Sequence, residues 1–243
     1  MSDTAPHFRR ILLKLSGEAL MKDQSFGIDP VVLESVAAEI YQVHKLGVQV
    51  AVVVGGGNIF RGLQASAYGV GRVAADHMGM LATIINALAL SEALKRINAE
   101  TRIMTAIEMT KIAEPYVRER AINHLSKSRI LLFGGGTGSP YFTTDTAAAL
   151  RAMEIDAEVL LKATRVDGVY DADPEKDPSA KPFSKLTYRG VLKRNLKVMD
   201  LTAVSLAMSQ ELPIIVFNLK KAGNIKRVIS GEKIGTLITG ESL

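Results

Sequence analysis

The sequence predicts an α/β fold in which a mostly parallel sheet is covered by helices on both sides. Three observations lead there. Seven runs rich in Val, Ile and Leu recur without polar alternation, as strands covered on both faces require. Helical patterns lie between them, the βα rhythm of a parallel sheet. Four polar or glycine-rich segments also fall just after strands, where open α/β sheets bind ligands.

The first run is RILLKLS, Arg10 to Ser16, broken only by Lys14. Asp29-Pro30 then reads as a helix cap followed by proline at the first helical position, opening a helix to about Leu46. VQVAVVV, Val48 to Val54, is the second strand, and a long helix follows from about Arg72 to Arg96. TRIMTAI (Thr101 to Ile107) and RILLFG (Arg129 to Gly134) come next, and the latter runs into glycines at 134, 135, 136 and 138. An alanine-rich helical segment begins at Asp145. AEVLLKA, Ala157 to Ala163, is a fifth strand. DADPEKDPSAKP, Asp171 to Pro182, is polar and proline-broken, a surface loop of the kind that serves as a lid or substrate sensor. A helix from about Asp200 to Glu211, PIIVFN (Pro213 to Asn218) and GTLIT (Gly235 to Thr239) complete the order. With no internal repeat and no long linker, residues 1–243 read as a single domain.

Composition removes several classes. The 47% apolar and 23% charged fractions are those of a soluble globular chain. Zero cysteines exclude disulfides, thiolate zinc sites and a cysteine nucleophile. A net charge of +5 suits an anionic small molecule, and no basic cluster carries the interleaved aromatics of a nucleic-acid surface. Lys14 and Glu18 spoil the N-terminal run as a signal-peptide core. The longest apolar stretch, Met78 to Leu90, is too short to span a bilayer. A cytoplasmic protein without a membrane segment is expected.

The post-strand segments are KLSGEA, GGGNIFRG, GGGTGSPYFTTD and KATRVDGVYDADP. Glycine at such density lets backbone N–H groups turn towards an anion, and phosphate is the usual guest. No glycine is followed by lysine, so the P-loop is absent, and GxGxxG, HExxH and GxSxG are missing too. A GGG turn alone can be mere close packing. Four such segments accompanied by Lys14, Arg61 and Asp145 point to phosphate chemistry.

Lys14, at a strand end, is a cation for a transferring phosphoryl group; the plain alternative is a solvated lysine. Arg61 can fork onto phosphate oxygens, or form a surface ion pair. Asp76, Asp145 and Asp200 all stand at helix starts, where an aspartate also serves as an ordinary cap. The apolar helix from Met78 to Leu90 is a core helix or a subunit interface.

KLSGEAL, GGGNIFRG, DHMGMLAT, GTGSPYFTTD, KATRVDGVY and LKVMDLTA, in this order from about Arg9 to Thr239, resemble the bacterial-type UMP kinases of the amino acid kinase family. The resemblance implies an αβα sandwich around a mostly parallel sheet of about eight strands. It implies Mg²⁺-dependent phosphoryl transfer from ATP to UMP, giving UDP and ADP, in a homohexamer activated by GTP and inhibited by UTP. Lys14, Leu15, Ser16 and Gly17 match the ATP-phosphate loop, and Gly57 and Arg61 a second phosphate-binding turn. Gly56 falls on the UMP side and Asp76 at the UMP ribose. Thr137, Gly138, Ser139, Pro140, Tyr141, Phe142, Thr143 and Thr144 match the segment enclosing UMP. Thr164, Tyr170 and Asp173 match the adenosine end of the ATP site. Lys22, Asp23, Gln24, Ser25, Phe26 and Gly27 fall where the GTP-activation segment lies. The N-terminal part then carries mainly the UMP site and subunit interface, the C-terminal part the ATP site.

Lys14, Arg61, Asp145 and Asp200 are the expected catalytic group. Asp145 need not be a base, because an acceptor phosphate is already ionised at neutral pH. It is better cast as an organiser, holding Lys14 or a Mg²⁺-bound water in place. Tyr141 and Phe142 are expected to narrow the acceptor pocket. Alternatives are a kinase forming acyl phosphates, whose members carry lysine where this chain has Asp200, and a non-catalytic nucleotide-binding or storage protein.

Overall fold

The computed structural model describes residues 6–22, 24–61 and 69–240. Among them, a nine-stranded sheet runs β4-β3-β5-β2-β1-β6-β10-β11-β9 across its width. The strands are β1 (Arg10–Leu15), β2 (Gln49–Val54), β3 (Thr101–Thr105), β4 (Glu114–Pro115), β5 (Ile130–Gly134), β6 (Val159–Thr164), β9 (Lys185–Thr187), β10 (Ile214–Asn218) and β11 (Thr236–Thr239). Every neighbouring pair is parallel except β10 with β11, and β7 (Val169–Tyr170) and β8 (Pro182–Phe183) form a separate antiparallel pair.

All seven apolar runs are strands. Two further strands, β4 and β9, of two and three residues, extend the edges of these seven, so the sheet has nine strands where about eight were expected. Segments so short carry no hydrophobic period of their own.

The helices are α1 (Pro30–His44), α2 (Arg72–Arg96), α3 (Arg118–Ser126), α4 (Thr144–Glu154), α5 (Tyr188–Lys193), α6 (Leu201–Ser209) and α7 (Asn224–Ile229). Asp29 caps α1 as expected, accepting from Val31 N at 2.9 Å and Val32 N at 3.0 Å, with Pro30 in the first turn. Two apolar layers sandwich the sheet. Ile11, Leu13, Leu15, Leu161 and Ala163 pack with α1, α2 and α7; Leu12, Leu160 and Val216 pack with α4 and α6.

That alternation orients the chemistry. Side chains two apart on a strand share a face, so Lys14 lies on the side of Leu12 and Lys162 on the side of Leu160. The parallel register pairs Lys14 with Lys162. Strand order also reverses around β1, with β2 and β5 on one side and β6 and β10 on the other, which opens a crevice at the carboxyl ends.

By length and composition, α2 is apolar enough to cross a membrane. One face instead packs on the sheet through Ile84, Ala87, Leu90 and Leu94 and carries the buried polar Asn86. The other face leaves Met78 43%, Leu81 48% and Ile85 48% exposed, so the helix is half core and half apolar surface.

Candidate active site

Two lysines in register on adjacent strands would repel each other unless an anion separated them. Asp145 supplies it from the first turn of α4. Lys14 Nζ lies 2.8 Å from Asp145 Oδ1 and Lys162 Nζ 2.6 Å from Oδ2. Burial alone would raise the Asp145 carboxyl, but the ammonium groups of Lys14 and Lys162 outweigh it and hold the carboxyl below its ordinary value. Burial dominates at Lys162 and lowers that ammonium's pKa despite the Asp145 charge.

Lys162 escaped the sequence reading. Its signal was available: LLK occurs at Leu12–Lys14 and again at Leu160–Lys162, and a lysine inside a strand covered on both faces needs a reason to be there.

The start of α4 is built to hold Asp145 still. Thr143 caps the helix, its hydroxyl accepting from Asp145 N at 3.0 Å and Thr146 N at 3.4 Å. The Thr143 hydroxyl in turn donates to Asp200 Oδ2, and Thr146 Oγ1 donates to Asp200 at 2.9 Å. Asp200 also caps α6 through Ala203 N at 2.8 Å. Asp200 therefore ties α4 to α6 beside the lysine pair, and Lys162 feels its charge.

Two cavities lie nearby without Lys14, Asp145, Lys162 or Asp200 in their linings; Thr144, next to Asp145, lines one, and Thr164, on the strand of Lys162, lines the other. The smaller, of about 290 Å³, is lined by Gly56, Gly57, Phe60, Asp76, Thr137, Phe142, Thr143 and Thr144, among others. Gly56 is required there, since a Cβ would stand 2.7 Å from Gly79 O on α2. Asp76 Oδ2 accepts from Tyr141 N at 2.7 Å and from Arg72 Nε at 2.8 Å, which fastens the 137–144 loop to α2. Burial would raise the Asp76 carboxyl, but the Tyr141 N–H and Arg72 more than offset that and lower it.

Gly138, Ser139, Pro140 and Tyr141 do not line the cavity. Phe142 is among the lining residues, but Tyr141 is not: its ring is 66% exposed, with the Arg72 guanidinium 5.5 Å from its centre. The Tyr141 backbone has φ 73°, and this left-handed turn carries the side chain outward.

The larger cavity, of about 640 Å³, is lined by Gly57, Arg61 and Thr164 together with Lys22, Gln24, Ser25 and Phe26. Gly57 thus belongs to both cavities. Arg61 Nη2 reaches Glu18 Oε1 at 2.7 Å and its Nε donates to Gly57 O at 3.3 Å, so the guanidinium is held at the junction. Leu15, Ser16 and Gly17 lead from β1 into the same junction. A Cβ on Gly17 would lie 2.6 Å from Gly57 N, so glycine alone lets the two turns touch.

The segment expected to respond to an activator therefore shares a cavity with the phosphate turn; Asp23, and Gly62 at the end of GGGNIFRG, lie outside the described residues. Tyr170 on β7 and Asp173 in the following loop lie outside this lining. Asp173 Oδ1 accepts from Glu175 N at 3.0 Å.

No group of three or more His, Asp or Glu side chains suited to a metal ion occurs among the described residues. The Asp145 and Asp200 carboxylates are engaged by lysines and threonines. This donor set fits a divalent cation carried in on phosphate oxygens and water rather than a protein cage. Two cavities that share a glycine turn, with Thr144 beside Asp145 in one lining and Thr164 on the strand of Lys162 in the other, can hold two phosphate groups end to end.

Comparison with known proteins agrees. The sequence model described as the amino acid kinase family matches residues 9–218. The crystal structure of UMP kinase from Bacillus anthracis is similar, with 43% identity, 97% of each chain covered and a TM-score of 0.94. UMP kinase from Ureaplasma parvum matches at 38% identity and TM-score 0.90, covering 95% of this chain and 98% of that one. Uridylate kinase from Archaeoglobus fulgidus matches at 30% identity and TM-score 0.74, covering 94% of this chain and 99% of its own.

Proposed function

The chain belongs to the amino acid kinase family, and from that premise we infer that it is a UMP kinase, transferring the terminal phosphoryl group of ATP to UMP to give UDP and ADP. The observation that carries the chemistry is the Lys14–Asp145–Lys162 cluster, whose neighbours in the chain, Thr144 and Thr164, line the two cavities that meet at Gly57. The smaller cavity takes UMP, with Asp76 at the ribose and Phe142, Thr143 and Thr144 around it. ATP lies on the other side. Lys14 to Gly17, Gly57 and Arg61 take its phosphates, and Thr164, Tyr170 and Asp173 its adenosine.

In the transfer, a phosphate oxygen of UMP forms a bond to the γ-phosphorus as the bond to the β-bridging oxygen breaks. A phosphate monoester has its second pKa near 6, so at neutral pH the acceptor is mostly a dianion and surrenders no proton. The difficulty is repulsion between two phosphates. Lys14, Lys162 and Arg61 offset it, and Asp145 fixes the direction of both ammonium groups. Mg²⁺ carried in with ATP would supply further charge neutralisation on the phosphate oxygens, and Asp145 and Asp200 would be the carboxylates to hold its water.

An acyl-phosphate kinase is the second reading. It would present a carboxylate acceptor near the position held by Asp200, an anion against an anion, and is disfavoured for that reason. GTP activation through the 22–27 segment, UTP inhibition and a homohexamer are part of this proposal. The exposed Met78–Leu81–Ile85 face of α2 supports an interface between copies. UDP so formed would feed UTP and CTP synthesis.

The test is ADP release from Mg-ATP with UMP, CMP, AMP, acetylglutamate or no acceptor. UMP alone should give rapid turnover. Equal rates with CMP would refute a pocket that reads the pyrimidine edge, since exchanging a carbonyl for an amino group strands a buried partner.

A further inference from the structure

Asn58 and Asn86 are 1% and 0% exposed, the deepest polar side chains near the site, and the reaction above uses neither. They face each other. Asn58 Nδ2 donates to Asn86 Oδ1 at 3.0 Å, and Asn86 Nδ2 donates to Asn58 Oδ1 at 2.6 Å. Each amide keeps one further N–H. That of Asn58 goes to Gly27 O at 3.0 Å, and that of Asn86 to Gly55 O at 2.7 Å. Both outer partners are carbonyls, which only accept, so both amide orientations are fixed.

The pair joins segments distant in sequence. Asn58 sits in the phosphate turn between Gly57 and Arg61, and Asn86 in the middle of α2. Gly27 closes the 22–27 segment and also donates its N–H to Asn58 O at 2.8 Å. Asn58 Oδ1 occupies the place a Cβ on Gly17 would need, at 2.4 Å. A buried amide that lost its partner would be left unsatisfied, which ties movement of one segment to movement of the others.

Resting on the kinase reading, we propose that Asn58 and Asn86 are positioning residues: a buried amide clasp that sets Gly57 and Arg61 against the phosphates and couples that turn to the 22–27 segment and to α2. Asn86 lines neither cavity, so its influence on turnover must pass through the turn.

The test compares wild type and Asn86→Leu, similar in volume but unable to bridge. Hydrogen exchange should quicken in residues 17–22, 24–27 and 55–61 while α2 stays protected. For ATP and UMP, kcat/KM should fall about 10- to 100-fold, the scale of a misplaced catalytic group. In an Arg61→Ala background the same change should cost less than about threefold, because the affected group is already gone. Equal factors in both backgrounds, unchanged exchange in the named segments, or exchange quickened evenly through α2 and the sheet would each overturn the clasp. If Asn86→Leu does not fold, Asn86→Ser is read by the same criteria. A wild type that does not phosphorylate UMP would sink the kinase reading alone, and the exchange pattern then decides the clasp.

Discussion

Lys14 and Lys162 stand side by side on β1 and β6, in register, and both close on the single carboxylate of Asp145. The mutual repulsion of this pair of cations is already offset before any anion arrives. The cluster is thus preorganised for charge that develops only during transfer.

Asp145→Asn should lower kcat about 10²- to 10⁴-fold, the range for losing a positioned catalytic group. Breaking a buried ion pair from one side also costs about 3–5 kcal/mol, so the urea midpoint should fall as well. Normal kcat with an unchanged midpoint would mean that Asp145 organises nothing.

The acid limb of the pH–rate profile belongs to UMP, whose phosphate gains a proton near pH 6. It should survive in Asp145→Asn when chemistry is rate-limiting. Its disappearance would show that the aspartate accepts a proton.

The depressed Asp145 carboxyl also predicts a stability profile. A group whose folded pKa lies below its unfolded value, about 3.9, stabilises above that value and loses the contribution as pH falls through the folded one. Thermal melts of wild type should therefore weaken below about pH 4, and Asp145→Asn should lose less over the same interval. Parallel curves would contradict the shift.

Lys162→Met should reduce kcat about 10²- to 10³-fold, comparable to deleting one donor to a developing anion. KM for UMP should change little. Lys162→Arg should not restore the rate, because a planar fork cannot share Asp145 as a compact ammonium does. Full activity in Lys162→Met would reduce this lysine to a structural counter-ion.

Asp173→Ala should raise KM for ATP more than KM for UMP. The opposite ranking in steady-state kinetics would mean that the two halves of the crevice are assigned the wrong way round.

The long strands and α1, α2 and α6 were legible because each carries its own signal: an apolar run, a cap, or a period. β4, β7, β8 and β9 were not, since segments of two or three residues pair only where neighbouring elements place them. Lys14, Asp76 and Asp145 could be picked out because each stands at the end of a strand or the start of a helix, and Arg61 because it closes a glycine-rich turn. Lys162 was hidden by its own strand, where one lysine among Val, Leu and Ala reads as background until β1 lies beside it. Asn58 was read as one letter of a glycine turn, because its partner Asn86 sits on a helix whose pattern is otherwise apolar. Tyr141 was misjudged because its outward course depends on a backbone angle that sequence does not display.

The position of β1 in the middle of the sheet has a consequence for biogenesis. Among the described strands it comes first in the chain, yet one of its two neighbours, Val159–Thr164, follows only after four others. At about 5–20 residues per second, β1 waits roughly 10–30 s with one hydrogen-bonding edge open and Lys14 without its counter-ion. An unpaired apolar edge is where nascent chains stick to one another. Chains stalled before β6 should therefore depend on chaperones far more than chains released after it, and pulse proteolysis of stalled complexes would show where along the chain that dependence ends.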